Sequence, residues 1–195
     1  MEVWKHKELK SVEHFCHAVE NVHQGEELVV QYETDEIGLD LVAGFKKAFP
    51  WHYDDTQRSY TQPKLRKHGN RGKTRDFAYA NRAMKYFGYD QFDEHQRRPN
   101  KLICLWDPTL IGDNFGEHNP CLVMVKFKRR EKYLDMVAIF RKRDLCRRMI
   151  GNMVFLSLWL NENAILRGLK SGQITDFSME TQWQKEDLKK LLKGK

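Results

Sequence analysis

The chain has 195 residues, of which 41% are hydrophobic and 12% aromatic, and it carries a formal net charge of +7. That apolar content is enough for a sizeable core and excludes disorder as a description of the whole chain. The basic balance, with a pI of about 9.2, favours anionic partners such as nucleotides, nucleic acids, phosphorylated metabolites or acidic membranes, without choosing among them.

The opening residues, MEVWKHKELK, hold no apolar leader. ELVVQYET (27–34) reads as a short strand, and GLDLVAGFKKAF (38–49) has the apolar spacing of a helix. Residues 51–74, WHYDDTQRSYTQPKLRKHGNRGKT, are polar, basic and poor in aliphatics, and contain Pro63, Gly69 and Gly72. They predict a long loop, and loops of that length are usually functional. DFAYANRAMKYF (76–87) predicts a helix ended by Gly88. Pro99 then breaks the chain, Lys101 to Trp106 reads as a buried strand, and Asp107-Pro108 ends it.

A polar loop, TLIGDNFGEHNP, leads to Cys121. CLVMVKFK (121–128) alternates, which predicts Cys121, Val123, Val125 and Phe127 on one face of a strand. KRREKY is turn-like, and LDMVAIF (134–140) reads as the returning strand. The most apolar window, Met149 to Leu160, predicts a buried helix. It is shorter than the roughly 20 residues of a membrane span, so a soluble, cytoplasmic protein is expected. No repeat, low-complexity tract or linker divides the sequence. The expectation is one α+β domain over residues 1–195, built on a hairpin, a strand before it and one long buried helix after it.

Four cysteines, Cys16, Cys104, Cys121 and Cys146, form no CxxC pair and have no zinc spacing with histidine. Reduced thiols and no metal centre are expected. A hairpin centred on Glu131 sets position 121 opposite position 141. That puts the Arg141 guanidinium beside the Cys121 sulfur, where a cation favours the thiolate, which is the nucleophile. The same arginine could hold a phosphate bidentately. A structural cysteine beside a surface arginine fits the spacing as well. Arg97-Arg98 is a paired guanidinium cluster before a strand, although most such pairs are solvated. Asn152 sits inside the most apolar helix and offers a donor and an acceptor, the complement of the N3–H and O4 edge of uracil. It could equally be bonded to local backbone.

In order, Arg97-Arg98, Trp106-Asp107-Pro108, Pro120-Cys121, Arg141 with Asp144, and Asn152 eleven residues after the arginine resemble the thymidylate synthase family. The likeness is nearest its short archaeal branch, with RGLKSGQI (167–174) resembling a downstream glycine motif. It covers residues 97–175. The resemblance implies a two-layer α/β sandwich of mixed sheet and helices, and a homodimer whose sheets stack back to back and whose phosphate sites are shared. It implies Cys121 as the nucleophile at C6 of the pyrimidine, Arg141 on the phosphate, and Arg97 and Arg98 reaching the phosphate of the neighbouring subunit. Asp144 would contact pyrimidine and cofactor, and Asn152 would read the base, favouring uracil and hence dUMP. Tyr60, with Arg66, would take the place of the family's active-site tyrosine. The implied cofactor is 5,10-methylenetetrahydrofolate or a related reduced pterin, with no metal.

The sequence departs from the family in several places. Lys142 stands where a phosphate-binding serine is usual, and Arg148 where many members have glycine. Gln182-Trp183-Gln184 replaces a sugar-binding His-x-Tyr, so Gln182 and Gln184 become the candidates for the ribose. Glu27, Glu33 and Glu36 are the candidates for the catalytic glutamate. The chain ends DLKKLLKGK in place of the tail that closes over the folate. An open site would admit water and give a hydroxymethyl product in place of a methyl one. Two further readings are an enzyme of this fold acting on another pyrimidine nucleotide or ribonucleotide such as UMP, and a non-catalytic nucleotide- or RNA-binding relic. The basic stretch 58–75, which includes Tyr60, suits phosphate-backbone contacts.

Overall fold

The computed structural model describes residues 1–61, 66–67, 74–75, 79, 83, 102–106 and 120–193. In chain order these form β1 (Glu2–Trp4), a 3-10 turn (His6–Leu9), α1 (Val12–Glu20), β2 (Leu28–Glu33), α2 (Leu39–Ala48), α3 (Pro50–Thr61), β3 (Arg66–Lys67) and β4 (Thr74–Arg75). They continue with β5 (Leu102–Cys104), β6 (Leu122–Arg130), β7 (Tyr133–Phe140), β8 (Arg143–Asp144), α4 (Met149–Leu166), β9 (Lys170–Ser178), β10 (Thr181–Gln182) and α5 (Lys185–Lys193).

The main sheet has six strands in the order β1-β2-β9-β7-β6-β5. β1 runs parallel to β2 and β7 parallel to β9, while the other pairs are antiparallel, so the sheet is mixed and the fold is α+β. One face is core. Val30, Asp176, Ala138, Val125 and Ile103 stand opposite one another across five strands, and all but Asp176 are apolar. α4 packs on this face over β7 and β9. It is apolar on every side, with Ile150, Met153, Phe155, Leu156, Trp159 and Leu160 buried, which is the pattern of a helix inside the protein. α1, α2 and α5 pack against one another, α5 burying Leu188 and Leu191 from an otherwise charged sequence.

Residues 51–61 correct the sequence reading, because they are helix and not loop. Pro50 fits a first helical turn, where its missing N–H costs nothing. The residues after it bury Thr56 and Tyr60 against α4. Tyr60 packs on Phe155 and Trp159, and the Trp159 indole donates to the Tyr60 carbonyl at 3.2 Å. Tertiary burial of two residues thus outweighs a polar composition. The helix expected over 76–87 lies mostly outside the described residues, as do Asp107-Pro108.

The hairpin forms, with two changes. Its strands run through most of the charged KRREKY segment, leaving a turn of Glu131 and Lys132 with Glu131 at φ 52°. Arg130 closes it with two hydrogen bonds to Asp135, at 2.8 and 3.1 Å. Near the turn the register is Arg129 opposite Leu134, which by itself would set Cys121 opposite Lys142. A one-residue bulge at Val123 restores the expected pairing, and the Arg141 amide donates to the Cys121 carbonyl at 2.8 Å. The bulge also breaks the alternation. Leu122, rather than Cys121 or Val123, joins Val125 and Phe127 in the core.

Candidate active site

The bulge and the bend at Cys121 end β6 at the wall of a cavity of about 430 Å³. Trp51, Asp55, Thr56 and Ser59 of α3 line one side, and Pro120, Cys121 and Tyr79 another. The rest comes from the β8 region (Lys142, Arg143, Asp144), from Arg148 and Asn152 at the start of α4, and from Gln182 of β10. β8 and β10 pair in parallel, with Asp144 opposite Gln182, and this small sheet carries both residues to the cavity.

Cys121 is half-buried and unpaired in any disulfide. Burial raises its pKa above the ordinary thiol value; Arg141, then Arg148, Arg143 and Lys142, pull the other way without cancelling it. Of these cations Arg141 bears most on the sulfur, but burial outweighs it, and the sulfur is held more as thiol than an exposed cysteine is. Arg141 itself is exposed and is not among the residues that line the cavity. Lys142 pairs with Glu180 at 2.7 Å. Arg148 donates to Asp55 at 2.8 Å and to Thr56 at 3.2 Å, and its guanidinium lies 5.7 Å from the centre of the Trp51 ring.

Asn152 is buried, and its Oδ1 accepts the Tyr60 hydroxyl at 3.3 Å. That bond fixes the amide and leaves its Nδ2 donor without a partner among the described residues, at the cavity wall. Tyr60 is sealed against Tyr79, their rings 4.8 Å apart, and burial drives its pKa well up, so it acts as a hydroxyl donor and not as a phenolate. The Tyr79 hydroxyl accepts from the Leu122 amide at 3.3 Å and holds the start of β6. Asp144 accepts the Arg147 amide at 2.9 Å; burial nonetheless raises its pKa.

Of the residues singled out in the sequence, Cys121, Lys142, Asp144, Asn152 and Gln182 come together in the cavity, with Tyr60 directly behind Asn152. Gln184 does not line it; its Oε1 accepts from Arg147 at 3.0 Å. Arg97 and Arg98 lie outside the described residues, as does the Arg66 side chain. None of Glu27, Glu33 and Glu36 lines the cavity; Glu36 accepts the Glu33 amide instead. Among the described residues the carboxylates there are Asp55 and Asp144. Sequence reasoning missed Trp51, Asp55, Ser59, Tyr79 and Arg143. The first three recur every four residues, which is one helical face, and that spacing was the available signal. Among the described residues no group of three or more His, Cys, Asp or Glu is placed to hold a metal ion. Nor is any described helix long and apolar enough to cross a membrane.

A mixed sheet backed by a buried helix brings a thiol, a fixed amide and two partly exposed cations, Lys142 and Arg148, around one cavity. No family model matches the chain. It is 31% identical over 110 residues to a protein of Methanothermobacter thermautotrophicus (strain Delta H) named "Putative thymidylate synthase", and 30% identical over 110 residues to one of the same name from Methanothermobacter marburgensis (strain Marburg). Each match takes in 53% of this chain, and the chain spans about half the length of these relatives, 49% and 48%. In sequence the chain is thymidylate synthase-like over that stretch, in accord with the resemblance carried by its motifs.

Proposed function

We propose that this protein transfers a one-carbon unit to C5 of a pyrimidine nucleotide, dUMP first among them, through a covalent adduct on Cys121. The observation that carries this reading is the cavity itself, which sets the Cys121 sulfur, the fixed Asn152 amide and the cations Lys142 and Arg148 around one ligand-sized space.

The chemistry follows from those groups. The cations receive the phosphate, Arg148 and Arg141 able to do so bidentately. Asn152, held by Tyr60, meets the base edge. Cys121 gives up its proton to water, and its sulfur bonds to C6, moving the C5–C6 electron pair toward C5 and O4. When bound, a reduced pterin such as 5,10-methylenetetrahydrofolate supplies the one-carbon electrophile that C5 takes up. Loss of the C5 proton lets the carbon–nitrogen bond to the carrier break; the carbon left on C5 then takes either a hydride, which the reduced pterin would supply, to become methyl, or water to become hydroxymethyl, and departure of the Cys121 sulfur restores the ring double bond. The cavity suits a pterin: Trp51 presents a flat ring, 64% exposed, at the mouth, and the Asp144 carboxyl can accept from a ring N–H. Gln182 at the wall donates and accepts toward the sugar.

The resemblance implies a homodimer, and the sheet supports it. Val3, Val29, Phe177, Ile139, Met124 and Cys104 form one row across all six strands, on the face opposite α4. We propose that two copies stack these faces, each bringing Arg97 and Arg98 to the other's phosphate.

Release of tritium from C5-labelled dUMP in the presence of methylenetetrahydrofolate tests the reaction. Release by the wild type, abolished in Cys121→Ser, is expected, and product analysis then separates methyl from hydroxymethyl. No release from dUMP, UMP or dCMP by the folded protein would overturn the proposal.

A further inference from the structure

Tyr60 lies in the polar stretch whose composition predicts a loop, yet it is only 2% exposed. α3 buries it by packing closely on α4. Gly151 has no side chain, and a Cβ there would meet Thr56 at 3.4 Å. One turn further along α3, Tyr60 meets the next residue of α4, Asn152. Its ring is walled by Tyr79, Phe155 and Trp159, with 4.8, 5.7 and 4.9 Å between ring centres. Tyr60 is not among the residues that line the cavity, whereas Asn152 is. Among the described residues the Tyr60 hydroxyl has one partner, Asn152 Oδ1 at 3.3 Å.

That one bond settles which way the Asn152 amide faces. An amide carries an oxygen at one end and an N–H₂ at the other, and its two orientations fill the same space. With Oδ1 toward Tyr60, the buried O–H has its acceptor. Nδ2 then has no partner among the described residues, and it is not one of the polar atoms sealed from solvent without a partner, so it is left to the cavity that Asn152 lines. Turned over, Nδ2 would donate to the Tyr60 oxygen and the Tyr60 proton would be buried without an acceptor. A buried donor left unpaired costs its full desolvation. Burial also keeps the phenol protonated, so the hydroxyl always has a proton to place.

Pyrimidines differ at the 4-position: uracil has a carbonyl oxygen that accepts there, and cytosine an amino group that donates. A fixed N–H donor meets the first and opposes the second, whereas an amide free to turn over could serve either. Resting on the pyrimidine-nucleotide reading, we propose that Tyr60 sets the base specificity of the site. Its O–H locks the Asn152 amide with Nδ2 toward the ligand, so the site takes a pyrimidine with a carbonyl at C4 and refuses one with an amino group. Tyr60 touches no ligand; it is a positioning residue that acts through Asn152.

The experiment is calorimetric binding of dUMP, dCMP and 2-deoxyribose 5-phosphate, which lacks the base, to the full chain. Tyr60→Phe removes the hydroxyl and keeps the ring. Phe155→Leu loosens the packing around Tyr60 and keeps the hydroxyl. The wild type is expected to prefer dUMP to dCMP. In Tyr60→Phe that preference should fall at least fivefold, with 2-deoxyribose 5-phosphate bound within twofold of the wild type. Phe155→Leu should keep the preference within twofold. In the wild type labelled with ¹⁵N, the Asn152 Nδ2–H₂ resonances should shift with dUMP and stay still with 2-deoxyribose 5-phosphate. An unchanged preference in Tyr60→Phe, an equal fall in Phe155→Leu, or a loss shared by 2-deoxyribose 5-phosphate would overturn the assignment and leave the nucleotide reading in place. So would a wild type with no preference for dUMP, or Asn152 resonances that ignore it. A wild type that binds none of dUMP, UMP and dCMP would overturn the underlying reading, and this assignment with it.

Discussion

At the scale of single residues, Cys121 shows a competition between burial and charge. Burial wins, so its thiol ionises above the ordinary value. Less thiolate is then present at neutral pH than for an exposed cysteine. Alkylation by iodoacetamide, followed on the Cys121 peptide by mass spectrometry, should therefore still be climbing with pH where an exposed cysteine has levelled off. Arg141→Gln removes the largest opposing cation and should push the profile to still higher pH; a profile at or below that of an exposed cysteine contradicts the account. Asn152→Asp exchanges a donor for an acceptor at the base edge. Loss of one hydrogen bond is worth about 1 kcal/mol, so dUMP binding should weaken roughly fivefold while dCMP gains relative to it, read from the two dissociation constants. The residues behind these predictions were legible because Cys121, Asp144 and Asn152 sit at fixed intervals on contiguous elements. Arg143 was not, because its burial depends on pairing with Asp176, far along the chain.

At the scale of elements, the hairpin and α3 teach different lessons. Alternation located both hairpin strands, but not the bulge at Val123 that decides which residue faces Arg141. α3 was hidden by its composition: a helix whose inner face carries Thr56 and Tyr60 and whose cavity face carries Trp51, Asp55 and Ser59 has almost no aliphatic stripe to recognise. Cavity-lining residues occupy the positions that normally announce a helix. The turn offers a stability test. Glu131 holds a left-handed conformation, which costs a residue with a Cβ about 1 kcal/mol or more. Glu131→Gly, distant from the cavity, should raise the melting temperature by roughly 2–4 °C on that cost. An unchanged or lower melting temperature would show that Glu131 is held there without strain.

At the scale of the whole molecule, α4 covers one face of the sheet and leaves the other with a six-strand row rich in apolar side chains. Val29, Phe177, Ile139 and Met124 at its centre are only partly buried in a single copy. A charge placed there leaves the core face untouched. Phe177→Glu with Ile139→Glu should convert a dimer into a monomer in light scattering, at little cost to the folded content seen by circular dichroism. If Arg97 and Arg98 come from the second copy, nucleotide affinity should fall with the dimer. A wild type that is monomeric at every concentration would remove the shared-site proposal. The α+β class was legible from strands followed by an apolar helix; the apolar row on the far face was not, because in sequence its residues alternate with core positions.

The central claim is that the Cys121 sulfur bonds to C6 of a pyrimidine nucleotide. The most direct measurement is intact mass of the protein incubated with 5-fluoro-dUMP and methylenetetrahydrofolate, since fluorine at C5 replaces the proton whose loss frees the sulfur. The account predicts an added mass of nucleotide plus cofactor, mapped to the Cys121 peptide and absent in Cys121→Ser. No adduct on the wild type, or an adduct that persists in Cys121→Ser, would contradict it.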